Sequence, residues 1–163
     1  MKTHTPIFFL IAFLITFTLS ACTAQPAPDL LEPIDLTIKD QTYSLELAVT
    51  PQARFQGLSD RKSMPDNQGM LFVFPYPMQT YFVMRRCYFP IDIIFLDASG
   101  RITATHKMKV VPIDTPENDL PRYSSRYPAQ FAIELHGGQL QKLNLKDGDL
   151  IQLPIQSLKK LAK

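Results

Sequence analysis

The sequence predicts a mainly β domain of the α+β kind. Its core would be a largely antiparallel sheet that could close into a barrel, with one or two short helices beside it. Three observations carry this. Short alternating or continuous apolar segments recur between polar turn clusters. Fourteen prolines are spread along 163 residues, which leaves no room for long helices. The composition, 45% hydrophobic and 20% charged, belongs to a folded chain, and the length suits one domain.

The elements follow in order. Ile34 to Ile38 alternates apolar and polar, Tyr43 to Val49 does so in part, and the polar Lys39-Asp40-Gln41 between them makes a β-hairpin. Thr50 then offers a hydroxyl cap and Pro51 a first helical residue, so a helix of one or two turns runs to Gln56 and stops at Gly57. Gly69 to Phe74 is apolar at every side-chain position, as expected of a strand buried on both faces. Thr80 to Met84 and Ile91 to Leu96 are two further strands. Asp97 to Gly100 turns the chain into another, Arg101 to His106. Val111 to Pro128 holds four prolines among polar residues and reads as a long loop, a length at which loops are often functional. Ala129 to Leu135 alternates again. Gly137-Gly138 opens a short helical stretch from Gln139 to Leu145, and Lys146 to Asp149 turns into a closing strand, Leu150 to Leu153. No internal repeat is present.

The beginning of the chain is of a different kind. Lys2 and His4 precede an apolar run from Pro6 to Leu19, followed by Ser20-Ala21-Cys22. A basic start, a short apolar stretch and small residues at its end make a secretory signal peptide, and the run falls short of the roughly 20 residues a membrane span needs. Leu19-Ser20-Ala21-Cys22 resembles a bacterial lipobox, in which Cys22 takes a diacylglycerol and becomes the first residue of the mature chain. Ordinary secretion with an incidental Cys22 is the alternative. The division expected is therefore a lipoprotein signal peptide at 1–21, a proline-rich tether at 22–33, a single β-rich domain at 34–155 and a basic, solvated tail at 156–163. Extended, the tether would let the domain stand roughly 30 Å from the bilayer. Thr23 lacks the aspartate associated with inner-membrane retention, so in a Gram-negative host the expected place is the periplasmic face of the outer membrane. With 17 Lys+Arg against 15 Asp+Glu, and Lys2 lost with the leader, the charge is near neutral. A near-neutral chain has no broad field to attract nucleic acid. The membrane, through the lipid, is the expected partner.

Several blocks in one order give a more specific indication: Ala53-Arg54 with Gly57-Leu58, then Gly69 to Phe74, Phe82-Val83-Met84, Pro90 to Asp97, Glu134 with Gly137-Gly138, and Gly148-Asp149. Together they resemble the domain-of-unknown-function family 192 over roughly Leu36 to Leu153. The resemblance implies a small, mostly β fold, frequently exported or lipid-anchored, and no settled biochemical function. Three departures stand out. The family's Phe-Trp-Met block lacks its large ring at Val83, its Lys-Asn-Thr continuation is Arg85-Arg86-Cys87, and the glutamate often found before Arg54 is Ala53.

Four features could carry chemistry. Cys87 is a thiol without an intramolecular partner once Cys22 is lipidated, and Arg85 and Arg86 beside it would favour a reactive thiolate; buried structural cysteine is the alternative. Asp92 lies in an apolar strand, where alternation gives it the face of Ile94 and Leu96. A charge there needs a partner, most simply Arg85 or Arg86, and only one of two adjacent residues can reach it. Met64, Met70, Met78, Met84 and Met108, with His106 and His136, suit a Cu(I) site by ligand type but are widely spaced. Arg122 to Pro128 could grip an anion or sugar, or Tyr123 and Tyr127 could anchor the loop to the sheet. Zinc-ligand pairs, a nucleophile elbow and a phosphate-binding glycine loop are missing.

These features give a candidate ligand-binding set of Met84, Arg85, Arg86, Asp92, Glu134 and Tyr123, with no catalytic residue, metal or cofactor assigned. The reading is a lipid-anchored envelope protein, a binding or accessory module for a small anionic ligand or a partner protein. A cysteine-dependent enzyme using Cys87, helped by Asp92 or His106, and a periplasmic Cu(I)-binding protein are the alternatives.

Overall fold

A computed structural model describes residues 31–163; the expected signal peptide, Cys22 and the tether as far as residue 30 lie outside the described residues. The elements are β1 (Ile34–Ile38), β2 (Gln41–Ala48), α1 (Pro51–Gln56), β3 (Gln68–Met78), β4 (Tyr81–Phe82), β5 (Ile91–Leu96), β6 (Ile102–Met108), β7 (Tyr123–Ser124), β8 (Ala129–His136), α2 (Gln139–Leu143) and α3 (Ile155–Leu161). Six strands form one sheet in the order β1-β2-β3-β8-β5-β6, and β4 and β7 make a separate two-stranded ribbon.

The fold is mainly β, as the sequence predicts, and every neighbouring pair in the main sheet but one is antiparallel. The exception is β2–β3, which runs parallel. Helix α1 and the loop after it carry the chain back across the sheet before β3 begins, and only such a crossover can place consecutive strands side by side in the same direction. The sheet is therefore mixed, and it is open: β1 and β6 are its edges and do not pair with each other.

Both faces are covered, so the central strands read as continuous apolar runs. On β3, Leu71 and Val73 point into one core layer, and Met70, Phe72 and Phe74 into the other. On β5, Ile94 and Leu96 belong to the first layer, Ile91, Ile93 and Phe95 to the second. Strand β8 divides the same way, with Phe131, Ile133 and Leu135 against Ala132 and Glu134.

Local chemistry sets the boundaries. The Lys39-Asp40 turn joins β1 to β2, with Lys39 in the left-handed region at φ 57°. Thr50 caps α1 through a bond to its side chain from the Ala53 amide at 3.2 Å, and Gly57 ends the helix by returning its N–H to the Ala53 carbonyl. The Asp97–Gly100 turn is held by Asp97 Oδ1, which accepts from the amides of Ser99 and Arg101.

Three expectations need correction. The closing strand at Leu150 to Leu153 is reduced to one bridge, Leu150 with Arg101, beside which the Ile151 amide donates to the Gly100 carbonyl. The strand expected over Thr80 to Met84 shrinks to β4, because the chain turns at Arg86, whose φ is 48°. The tail at 156–163 is no solvated tail. It forms the third α-helix, one more than expected, with Leu158 buried in the first core layer and Lys159 and Lys160 in its last turn. Among the described residues, no helix is long and apolar enough to cross a membrane.

Leu158→Ala is expected to destabilise the domain by about 2–4 kcal/mol, the range for truncating a buried leucine. Urea denaturation monitored by circular dichroism would measure it, and an unchanged midpoint would mean that α3 contributes no packing.

Candidate functional site

The second core layer is incomplete above the middle of β8, where a cavity of about 250 Å³ opens to the surface. Glu134 forms part of its floor. Across the sheet Glu134 sits between Met70 of β3 and Ile93 of β5, so its carboxyl has apolar neighbours on both sides. Phe72 and Phe82 wall the cavity and meet edge to face at 4.8 Å, and Phe82 meets Phe95 in the same manner at 5.4 Å. The end of α1 roofs it with Phe55 and Gly57. A side chain at position 57 would lie 3.4 Å from the Phe72 ring and 3.9 Å from Glu134 Oε2, and the backbone there has φ 49°. Glycine is what allows the helix to end directly above the carboxyl.

The electrostatics of the floor are unusual. Glu134 is 4% exposed, and its Oε2 has no hydrogen-bond partner among the described residues. Burial pushes its carboxyl up to about 8, against a smaller downward pull from Arg61. Arg61 is held by Glu46, with Nη2 to Oε2 at 2.6 Å, so its charge is largely met elsewhere.

Two arginines, Arg54 and Arg85, line the cavity, and each is anchored. Arg54 Nη1 donates to the carbonyls of Val49 at 2.7 Å and Val73 at 2.9 Å, and Nη2 to an oxygen of Lys163 at 2.8 Å. It thereby ties α1 to the end of β2 and the middle of β3. Arg85 lies over the Phe55 ring at 4.2 Å, donates to the Phe55 carbonyl at 3.2 Å, and makes a two-bonded pair with Glu117, Nε to Oε2 at 2.6 Å. That pair joins the long loop to the mouth of the cavity through the 3₁₀ turn Glu117–Asp119.

Of the residues singled out in the sequence, Arg85, Cys87 and Glu134 line this cavity. Met84 packs in the apolar cluster beneath, 1% exposed. Tyr123 is half-buried against the same cluster, and its hydroxyl accepts from the Lys109 amide, so it anchors the long loop, whereas Tyr127 is exposed. Arg86 turns away and pairs with Asp60.

The pairing expected between Asp92 and Arg85 or Arg86 is absent. Asp92 lies on the face that alternation assigns it, with Ile94 and Leu96, opposite to Glu134. There Oδ2 accepts from the amides of Gly138 at 2.9 Å and Leu140 at 2.8 Å. Backbone donors at the start of α2 satisfy this buried carboxylate, a role that a search for cationic side chains overlooks.

Activation of Cys87 by its flanking arginines also fails. Burial and the nearby Glu134 push the thiol up to about 12, outweighing the pull of Arg85, and Sγ donates to the Arg85 carbonyl at 3.4 Å. His106, proposed as a helper, gives Nε2 to the Ser124 carbonyl at 2.7 Å. Met64, Met70, Met84 and Met108 fill the second core layer as apolar side chains, while Met78 is exposed. No cluster of three His, Cys, Asp or Glu suited to a metal occurs among the described residues. A larger hollow of about 810 Å³ lies beside α1, lined in part by the Glu46–Arg61 pair and Leu31–Pro33, but the unpartnered carboxyl belongs to the smaller cavity.

Arg54, Gly57, Phe72 and Phe82 are the site residues that reading of candidate chemistry missed. Arg54, Gly57 and Phe82 stood within the blocks that carry the family resemblance, and Phe72 in the apolar Gly69–Phe74 run.

An open mixed sheet with a carboxyl-floored aromatic cavity is thus the class of molecule that fold and site define. The chain belongs to the domain-of-unknown-function family 192, described as an uncharacterized ACR, whose profile matches residues 34–153. Two crystal structures are similar. One, from Sinorhizobium meliloti 1021, is described as a candidate transcription regulator; it is 30% identical, and the match covers 74% of this chain and 92% of that one with a TM-score of 0.62. The other, a protein of unknown function from Novosphingobium aromaticivorans DSM 12444, is 27% identical, covering 85% of this chain and 99% of that one with a TM-score of 0.65. Comparison with curated proteins gave no match.

At pH 8 the native thiol of Cys87 is expected to react with iodoacetamide at least about tenfold more slowly than the same thiol after unfolding in guanidinium, since thiolate fraction and exposure both control the rate. Equal rates in the two states would restore a reactive Cys87.

Proposed function

We propose that the chain is a lipid-anchored binding module of the bacterial cell envelope whose cavity holds a small anionic ligand. One observation carries the binding reading. A buried carboxyl oxygen without a partner lies in an aromatic-walled cavity that also has two arginines in its lining. Buried polar groups in folded proteins are almost always satisfied, and a concave apolar site with a few convergent polar groups is the usual form of a ligand pocket. Arg85 lies in the lining with its guanidinium fixed in place by Phe55 and Glu117. The Glu117 pair meets much of its charge, so what it brings to the mouth is a set of oriented N–H donors suited to an anionic ligand's oxygens. The long loop supplies Glu117 and so takes part in shaping the entrance.

A catalytic reading has less support. A protonated, buried thiol is a poor nucleophile, and neither Asp92 nor His106 is placed to activate it. The transcription-regulator description belongs to the Sinorhizobium protein, and the near-neutral charge of this chain favours no nucleic-acid partner. The envelope location rests on the sequence features of the leader: Lys2, the Pro6–Leu19 run and Leu19-Ser20-Ala21-Cys22.

Ligand binding is tested by thermal shift of the full chain with small carboxylates, sulfate and phosphate. At least one anion is expected to raise Tm. Arg85→Ala is expected to weaken that anion's binding about tenfold, the effect of losing a charge-assisted hydrogen bond of about 1.5–3 kcal/mol. No rise with any anion removes the reading. For the anchor, cells fed labelled palmitate are expected to label the wild type and leave Cys22→Ser unlabelled, while label on the serine variant would place the lipid elsewhere.

A further inference from the structure

We propose that the cavity takes a small monocarboxylate with an apolar body, held by one proton shared between its carboxylate and the side chain of Glu134. This rests on the small-anion reading above and adds the ligand's chemical class and the form in which it binds.

The geometry supplies the first reason. Glu134 Oε2 is closed to solvent, has no partner and lies beside Gly57 at the cavity. A neutral carboxyl has one O–H to donate, and no acceptor is paired with Oε2. The missing group is therefore an acceptor oxygen brought from outside. A carboxylate is the strongest simple one, and bonds of this O–H···O⁻ kind are short and strong.

Charge supplies the second reason. Around Glu134, β3 and β5 contribute Met70 and Ile93, while β2 and the loop after α1 contribute Glu46 and Arg61, which pair with each other. From α1 comes Arg54, whose guanidinium is taken up by the Val49 and Val73 carbonyls and an oxygen of Lys163. The stretch after β4 contributes Arg85, matched by Glu117, and Cys87, a neutral thiol; β4 contributes the Tyr81 phenol. His106, one strand beyond β5, is committed to Ser124. With Glu134 protonated this set holds no unpaired carboxylate, which disfavours an ammonium ion, and the Glu134 O–H remains as a donor to an anion. The walls of Phe55, Phe72 and Phe82 and the volume of about 250 Å³ suit a body of one ring or a short branched chain.

The linkage has a definite sign. Glu134 holds its proton to about pH 8 in the empty cavity, and the anion needs that proton in place. Affinity is thus level below about pH 8 and falls about tenfold for each further pH unit, and bound carboxylate must shift the titration of Glu134 upward. An organic cation would do the reverse, because it would pair with the ionised form.

The test is a carbon-13 NMR titration of the full chain, labelled at the glutamate carboxyl carbon, between pH 5 and 10. It is run alone, with benzoate and with benzylammonium, and Glu134 is assigned by the signal lost in Glu134→Gln. Saturating benzoate is expected to raise the titration midpoint of Glu134 by about 1.5 units or more, and calorimetry to show benzoate binding more than about tenfold weaker at pH 9.5 than at pH 7. Glu134→Gln, which keeps a donor but does not titrate, is expected to bind benzoate equally at both pH values. If that variant does not fold, the wild-type midpoint decides alone. Benzoate binding equally tight at pH 7 and 9.5, with no upward shift, overturns the shared proton but leaves the anion site standing. Binding of sulfate or phosphate without benzoate overturns the monocarboxylate and likewise leaves the anion site. A midpoint lowered by benzylammonium, with no response to any anion, overturns both readings, as does silence toward every probe.

Discussion

A carboxyl group in the middle of a sheet buried on both faces sets the terms for this molecule. Taking Glu134 out of water without a hydrogen bond for Oε2 opposes ionisation. The surrounding architecture maintains that condition. Met70 and Ile93 flank it, Phe72 and Phe82 stand over it, and α1 ends on a glycine so that the helix can close down above. The core layer that would otherwise be filled by one more apolar side chain instead leaves a cavity with a polar floor.

The two buried acidic side chains of the sheet show how environment rather than residue type decides a role. Asp92 and Glu134 lie on adjacent strands, one rung apart and on opposite faces. Asp92 meets two backbone amides and becomes a fixed part of the fold, holding the Gly137-Gly138 turn and α2 against the edge of β5. Glu134 meets apolar carbon and keeps an oxygen free. A satisfied buried polar group helps specify the structure, whereas an unsatisfied one is held there against its desolvation cost.

The arginines divide in a similar way. Arg54 serves the backbone, gathering the Val49 carbonyl just after β2, the Val73 carbonyl within β3 and an oxygen of Lys163. Arg61 and Arg86 form ion pairs with Glu46 and Asp60 near the surface. Arg85 alone links a distant loop to the mouth of the cavity, and its stacking on Phe55 fixes the direction of its charge. The departure of this chain from its family at Arg85-Arg86-Cys87 therefore falls partly at the cavity, which Arg85 and Cys87 line, while Arg86 turns away to Asp60.

Much of the architecture was legible in the residues because it depends on local chemistry. The hairpin at Lys39-Asp40, the Thr50 cap with Pro51 and Gly57, the continuous apolar strands and the Asp97 turn all follow from neighbours within a few positions. Alternation alone correctly gave Asp92 the face of Ile94 and Leu96. Three things required the folded chain. The parallel pairing of β2 and β3 depends on where the chain re-enters the sheet after α1. The burial of Leu158 depends on a core that residues far away create. The partners of Asp92, Arg85 and Cys87 depend on which distant groups arrive beside them: two amides, Glu117, and a carboxyl that raises rather than lowers the thiol. What each side chain is able to do follows from its residue type, but long-range packing decides which polar atom meets a partner and which, like Glu134 Oε2, is buried without one.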